Sequence, residues 1–231
     1  ITINCDNLKD ISNIAKDQYI IVEYSATLNQ SAAVGLDGNE NSVYLTYSNN
    51  PNGEGTGKTL EDKVIVFTYE LDATKVDGAL KDNEGNYTKK LAGAEFVLKR
   101  KSSDEPEAYE YATLNADKKV TGWVATRDDA TKLVSDGNGL FKAIGLDDGT
   151  YYLEETKAPA GYNLLTSDVK IEILAGTENN QTWDGTPSDG LKSLNVKVND
   201  GDSVSGSVEN GSVAINVENN QGSTLPSTGG M

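Results

Sequence analysis

Two short runs of this chain put a lysine and an asparagine in register with apolar residues. In residues 213–220, Val213, Ile215, Val217 and Asn219 share one face of an extended chain, while Ala214, Asn216, Glu218 and Asn220 share the other. In residues 67–75, Phe67, Tyr69, Leu71, Ala73 and Lys75 fall on one face when no bulge intervenes. The apolar face is the core face, so Lys75 and Asn219 are expected to point inward; a single bulge would put Asn220 there instead. A third run, residues 151–155, carries Glu154 and Glu155 beside Leu153, and alternation turns only one of the two inward. Such burial is costly, about 1–3 kcal/mol for a polar group without a partner and more for an isolated charge. It also lowers a lysine's pKa and raises a carboxylic acid's. Those are the conditions under which an amine becomes a nucleophile and an acid a proton donor.

The elements that must position these residues read as strands. Apolar residues recur at period two in short runs bounded by Gly, Asn and Asp, in residues 19–24, 43–47, 64–69, 95–98, 151–153, 169–173 and 212–217. Many short strands with turn signals between them predict an all-β chain folded as a sandwich or barrel. Only residues 8–16 hint at a helix. The turn-rich stretch 49–57 reads as an internal loop of a first module, spanning residues 1–70, because the run 64–69 can close that module's sheet. A second sandwich then spans residues 71–222, with a long polar insertion from 102 to 136 whose mixed charges predict a solvated excursion. Residues 223–231 form a separate tail.

Composition removes several function classes. The 231 residues hold 20 Lys+Arg against 36 Asp+Glu, a formal charge of -16, which excludes the basic footprint that nucleic acid requires. With no histidine and one cysteine, Cys5, the chain has no Ser-His-Asp or Cys-His nucleophile system, no His-based metal site and no internal disulfide. No cofactor is expected. Asp136-Gly137-Asn138-Gly139 and Asp147-Asp148-Gly149 could ligate calcium, but neither has the spacing of a helix-loop-helix site, and both read as hairpin turns. Trp123 and Trp183 are expected to pack, and Cys5 to be a small buried residue or a by-product of truncation. No stretch approaches a membrane span and the first residues lack a signal-peptide layout, so both ends are expected to have been cut from a longer chain.

Two motifs carry a resemblance. Residues 151–162 read YYLEETKAPAGY, similar to the pilin E-box YxLxETxAPxGY at Tyr151, Leu153, Glu155, Thr156, Ala158, Pro159, Gly161 and Tyr162. Residues 225–230 read LPSTGG, which resembles the LPxTG signal that sortase transpeptidases cut between Thr and Gly. Residues 69–77 and 213–220 resemble the first and last strands of CNA-B-like immunoglobulin domains. Together these resemble a sortase-assembled Gram-positive pilin of the streptococcal backbone type. The resemblance implies an intramolecular isopeptide bond, in which the Lys75 amine attacks the Asn219 carboxamide and ammonia leaves, with Glu155 as the proton shuttle. That is single-turnover self-modification; the chain is not expected to be an enzyme.

The first module resembles the late strands of a CNA-A-like pilin domain at residues 24–29 and 45–52, which makes Asn29 the candidate asparagine of a second bond whose lysine and aspartate would lie upstream. The resemblance further implies cleavage between Thr228 and Gly229, with Leu225, Pro226, Ser227, Thr228 and Gly229 as the recognised residues. The implied partners are a sortase, a lysine of a neighbouring pilin subunit, peptidoglycan or its precursor, and host surface ligands. The implied location is the cell surface, anchored to the wall. A WxxxVxVYPK-like pilin motif does not occur in these residues. That departure leaves open a minor pilin, or an adhesin in which these modules form the stalk.

Overall fold

The computed structural model describes residues 1–7, 18–50, 52–179 and 183–222 and is almost entirely β. In chain order the strands are β1 (Asn39–Val43), β2 (Thr46–Ser48), β3 (Thr56–Lys58), β4 (Asp62–Val66), β5 (Tyr69–Asp77), β6 (Glu95–Lys101), β7 (Tyr109–Leu114), β8 (Val120–Val124), β9 (Leu133–Val134), β10 (Leu140–Leu146), β11 (Gly149–Lys157), β12 (Val169–Thr177), β13 (Leu191–Val198), β14 (Val204–Ser205) and β15 (Ser212–Asn219). Two sheets enclose the main core. The smaller has the order β10-β5-β15, with β5 in the middle; the larger runs β14-β13-β12-β11-β6-β7-β8, and β9 pairs with β6. The β5–β15 pair is parallel and sets Val217 against Lys75 and Asn219 against Asp77, whereas the β5–β10 and β11–β6 pairs are antiparallel.

The period-two pattern explains which side each sheet buries. Tyr69, Leu71, Ala73 and Lys75 of β5, Val213, Ile215, Val217 and Asn219 of β15, and Tyr151, Leu153 and Glu155 of β11 are buried, with their alternates partly or fully exposed except Val76, which is buried on the other face of β5. Phe96 of β6 stacks on Phe141 of β10 across the core, with centroids 4.8 Å apart. Ile65 and Phe67 belong to the same core as Tyr69. Gly145, at φ +85, takes up a register shift between Ile144 and Leu146.

Several expectations are corrected. Residues 19–24 form no strand, and Tyr19, Ile20 and Ile21 are exposed. The run 43–47 is divided between β1 and β2, and the run 64–69 between β4, which pairs with β1, and β5. Residues 102–136 are no solvated excursion: they supply β7, β8 and β9 to the larger sheet and bury Ala112, Leu133 and Ser135. Glu110 of this segment shares the face of the buried Ala112 and is paired there with Arg100 of β6. Cys5 is exposed rather than buried. The helix hint at residues 8–16 lies outside the described residues.

Candidate functional site

Three strands deliver one polar cluster to the end of the sandwich core. Lys75 comes from the middle strand of the smaller sheet, Asn219 from its parallel neighbour, and Glu155 from β11 in the facing sheet. Because β5 and β15 run parallel, the two same-face side chains are offset by two residues along the ladder, within reach of each other. The Lys75 ammonium group donates to Asn219 Oδ1 in a very close contact. Its Nζ stands 3.3 Å from Glu155 Oε1, and both side chains are fully buried. Asn219 Nδ2 donates to both Glu155 carboxylate oxygens at 3.1 Å and to the Asn163 main-chain carbonyl at 2.8 Å. The amide of Leu165 donates to Glu155 Oε2 at 2.8 Å. Among the described residues no buried side-chain nitrogen or oxygen lacks a partner, so the cluster's desolvation is met by mutual hydrogen bonding.

Burial pulls the Lys75 pKa down from 10.5 to about 8, against the opposing pull of the Glu155 carboxylate. The Phe96 ring lies 5.3 Å from Nζ and forms the apolar floor. An amine that loses its proton near neutral pH, in contact with a carboxamide whose nitrogen rests on a carboxylate, can carry out acyl transfer from nitrogen to nitrogen.

The competing residues lie elsewhere. Glu154 points out of the core, where it pairs with Lys99 at 2.8 Å and Arg127 at 3.2 Å. Asn220 is exposed. Asn29 is also exposed, and its side chain closes a turn by accepting from the Ser31 amide at 2.8 Å. The Asp136 carboxylate accepts from the amides of Asn138 and Leu140, an ordinary turn, and among the described residues there is no acidic cluster suited to a metal. Trp123 stacks on Tyr151 under the Arg100 guanidinium, and the Trp183 indole donates to the Thr186 carbonyl at 2.7 Å. Residues 225–229 lie outside the described residues.

Two contributors carry no side-chain signal in the sequence. They are the Asn163 carbonyl and the Leu165 amide, both in the loop that continues the YYLEETKAPAGY segment.

Residues 74–187 match the family described as SpaA, prealbumin-like fold domain. The matched stretch contains Lys75 and Glu155, while Asn219 lies C-terminal to it. The chain is similar to the trypsin-resistant surface T6 protein of Streptococcus pyogenes serotype M6, 31% identical over 163 residues, which cover 65% of this chain and 25% of that one. Among solved structures it is similar to the pilus 2b backbone protein of group B streptococcus, with 29% identity, a TM-score of 0.45, and coverage of 74% of this chain and 50% of the other. It is also similar to the full-length RrgB pilus protein of Streptococcus pneumoniae, with 26% identity, a TM-score of 0.41, and coverage of 75% and 33%. The chain therefore spans a quarter of the length of its curated relative and half or less of these solved chains.

Proposed function

We propose that this chain is part of a structural subunit of a covalently polymerised Gram-positive surface pilus, located outside the cell and joined to neighbouring subunits. The observation that carries the reading is the buried Lys75–Glu155–Asn219 cluster, in which amine, carboxylate and carboxamide are in mutual contact. In the proposed reaction the neutral Lys75 amine attacks Asn219 Cγ. Glu155 accepts the amine's proton and passes it to Nδ2, the bond from Cγ to Nδ2 breaks, and ammonia leaves. The product is an amide between Lys75 and Asn219, and no external reactant is consumed. The tail sequence LPSTGG supports a second covalent event, in which a sortase cleaves between Thr228 and Gly229 and joins the Thr228 carbonyl to a lysine of another subunit or to the cell wall. Residues 1–70 would be part of a preceding module, residues 71–222 the cross-linked one and residues 223–231 the sorting tail.

Intact-mass measurement of the folded protein tests the first event. The mass is expected to fall short of the sequence mass by one ammonia, and Glu155→Ala to restore the full mass. An unmodified mass in well-folded protein overturns the cross-link. The cross-linked chain is also expected to be the more stable, by about 5 kcal/mol on loop-closure grounds, which thermal unfolding of the two proteins measures.

A further inference from the structure

The loop after β11 reaches the cluster through main-chain atoms alone, so something must hold that main chain in place. Its anchor is Tyr162. The Tyr162 hydroxyl donates to Asp77 Oδ2 at 2.6 Å, bridging 85 residues of sequence. Asp77 is the last residue of β5, is buried, and sits opposite Asn219 in the parallel ladder. It is itself fixed: its Oδ1 accepts from the Ala79 amide at 3.0 Å, and its own amide donates to the Lys89 carbonyl at 3.0 Å. The Lys89 ammonium lies 3.8 Å from Oδ2 and 5.4 Å from the centre of the Tyr162 ring. From this anchored point the chain continues directly into the two contacts. The next residue, Asn163, binds Asn219 Nδ2 through its carbonyl and the Asn220 carbonyl through its amide, and Leu165 binds Glu155.

We propose that Tyr162, held by Asp77, is a positioning residue for the Lys75–Asn219 cross-link, fixing the loop main chain that orients both the leaving amide nitrogen and the carboxylate. The inference rests on the cross-linking reading given above. The Asn163 carbonyl holds Nδ2, and Oδ1 is the carboxamide atom in contact with the Lys75 amine. The Leu165 amide occupies one carboxylate oxygen and leaves Oε1 beside the amine. Without the hydroxyl the loop keeps its aromatic ring and backbone but loses the bond that ties it to β5. Both reacting groups then sample other orientations, and small misplacements of reacting atoms lower rates steeply.

The test is a time course of ammonia loss by intact mass on freshly synthesised full chain, comparing wild type with Tyr162→Phe, Asp77→Leu and Asp77→Asn. Tyr162→Phe and Asp77→Leu are expected to form the bond more slowly by a factor on the order of ten to a hundred. Asp77→Asn keeps an oxygen that can accept from the hydroxyl and is expected to stay near the wild-type rate. Each variant is also made with Glu155→Ala, where no bond forms, and its denaturation midpoint is measured. Slow bond formation with an unchanged midpoint supports positioning. A wild-type rate in Tyr162→Phe overturns it, as does a midpoint so lowered that the unfolded fraction accounts for the slowing. An unmodified mass in the wild type overturns the cross-link itself, and this inference with it.

Discussion

At pH 7 a lysine with a pKa of about 8 is neutral in roughly one molecule in ten, and only the neutral amine has a lone pair for attack. The rate of ammonia loss from newly folded chain is therefore expected to rise nearly tenfold per unit of pH below about 8 and to flatten above it, as mass spectra of quenched samples at each pH would record. A rate independent of pH between 6 and 8 would remove Lys75 deprotonation from the mechanism. The same depression fixes a stability trend for chain that has not yet cross-linked. Between about 8 and the ordinary 10.5 the unfolded chain holds a proton that the folded chain has released, so stability rises with pH across that window. The inward placement of Lys75 and Asn219 was readable from alternation because each sits at the end of an otherwise apolar stripe. Asp77 was not readable as a site residue. Its partner Tyr162 is distant in sequence, and on alternation alone Asp77 continues the lysine's face toward a turn.

At the scale of elements, the hairpin turn before β10 presses on β5 at the reactive residue. Gly139, at φ +74, accepts from the Lys75 amide at 2.7 Å, and a Cβ built on it would stand 2.5 Å from the Lys75 carbonyl oxygen. Gly139→Ala is expected to cost about 1–3 kcal/mol, because the left-handed backbone and the close main-chain approach both resist a side chain. Denaturant unfolding in the Glu155→Ala background measures that cost free of the cross-link. Strands whose core face is apolar were legible: β5, β11, β12 and β15 all alternate. Residues 102–136 were not, because β7 and β8 bury only Ala112 fully, β7 carries Glu110 on that same face, and their membership depends on the pairing of β7 with β6 and of β8 with β7. Residues 19–24 show the converse. A strand-type sequence forms a strand only where another strand satisfies its backbone, and here the six residues have none of that pairing.

At the scale of the whole molecule, the position of the proposed bond decides how the chain responds to tension. Lys75 and Asn219 are 144 residues apart in sequence yet adjacent on parallel strands, so a bond between them joins the entrance of the domain to its exit. Force entering before β5 and leaving after β15 would pass through the amide and one peptide segment on either side. The intervening residues, with both sheets' remaining strands, would carry no load. Because β5 and β15 are parallel, pulling their opposite ends without the bond shears the ladder and extends the whole loop. The difference is measurable as length. A single-molecule pulling experiment with handles at residues 70 and 222 is expected to show no extension step for the wild type. Glu155→Ala should release roughly 500 Å of contour as those intervening residues straighten. An equal step in both proteins would mean that the domain bears load through its hydrogen bonds alone. The short exit segment 220–222, tied to the loop by the Tyr162–Gln221 bridge, sets where such tension would arrive: directly behind Asn219, at the end of the strand that the amide would hold.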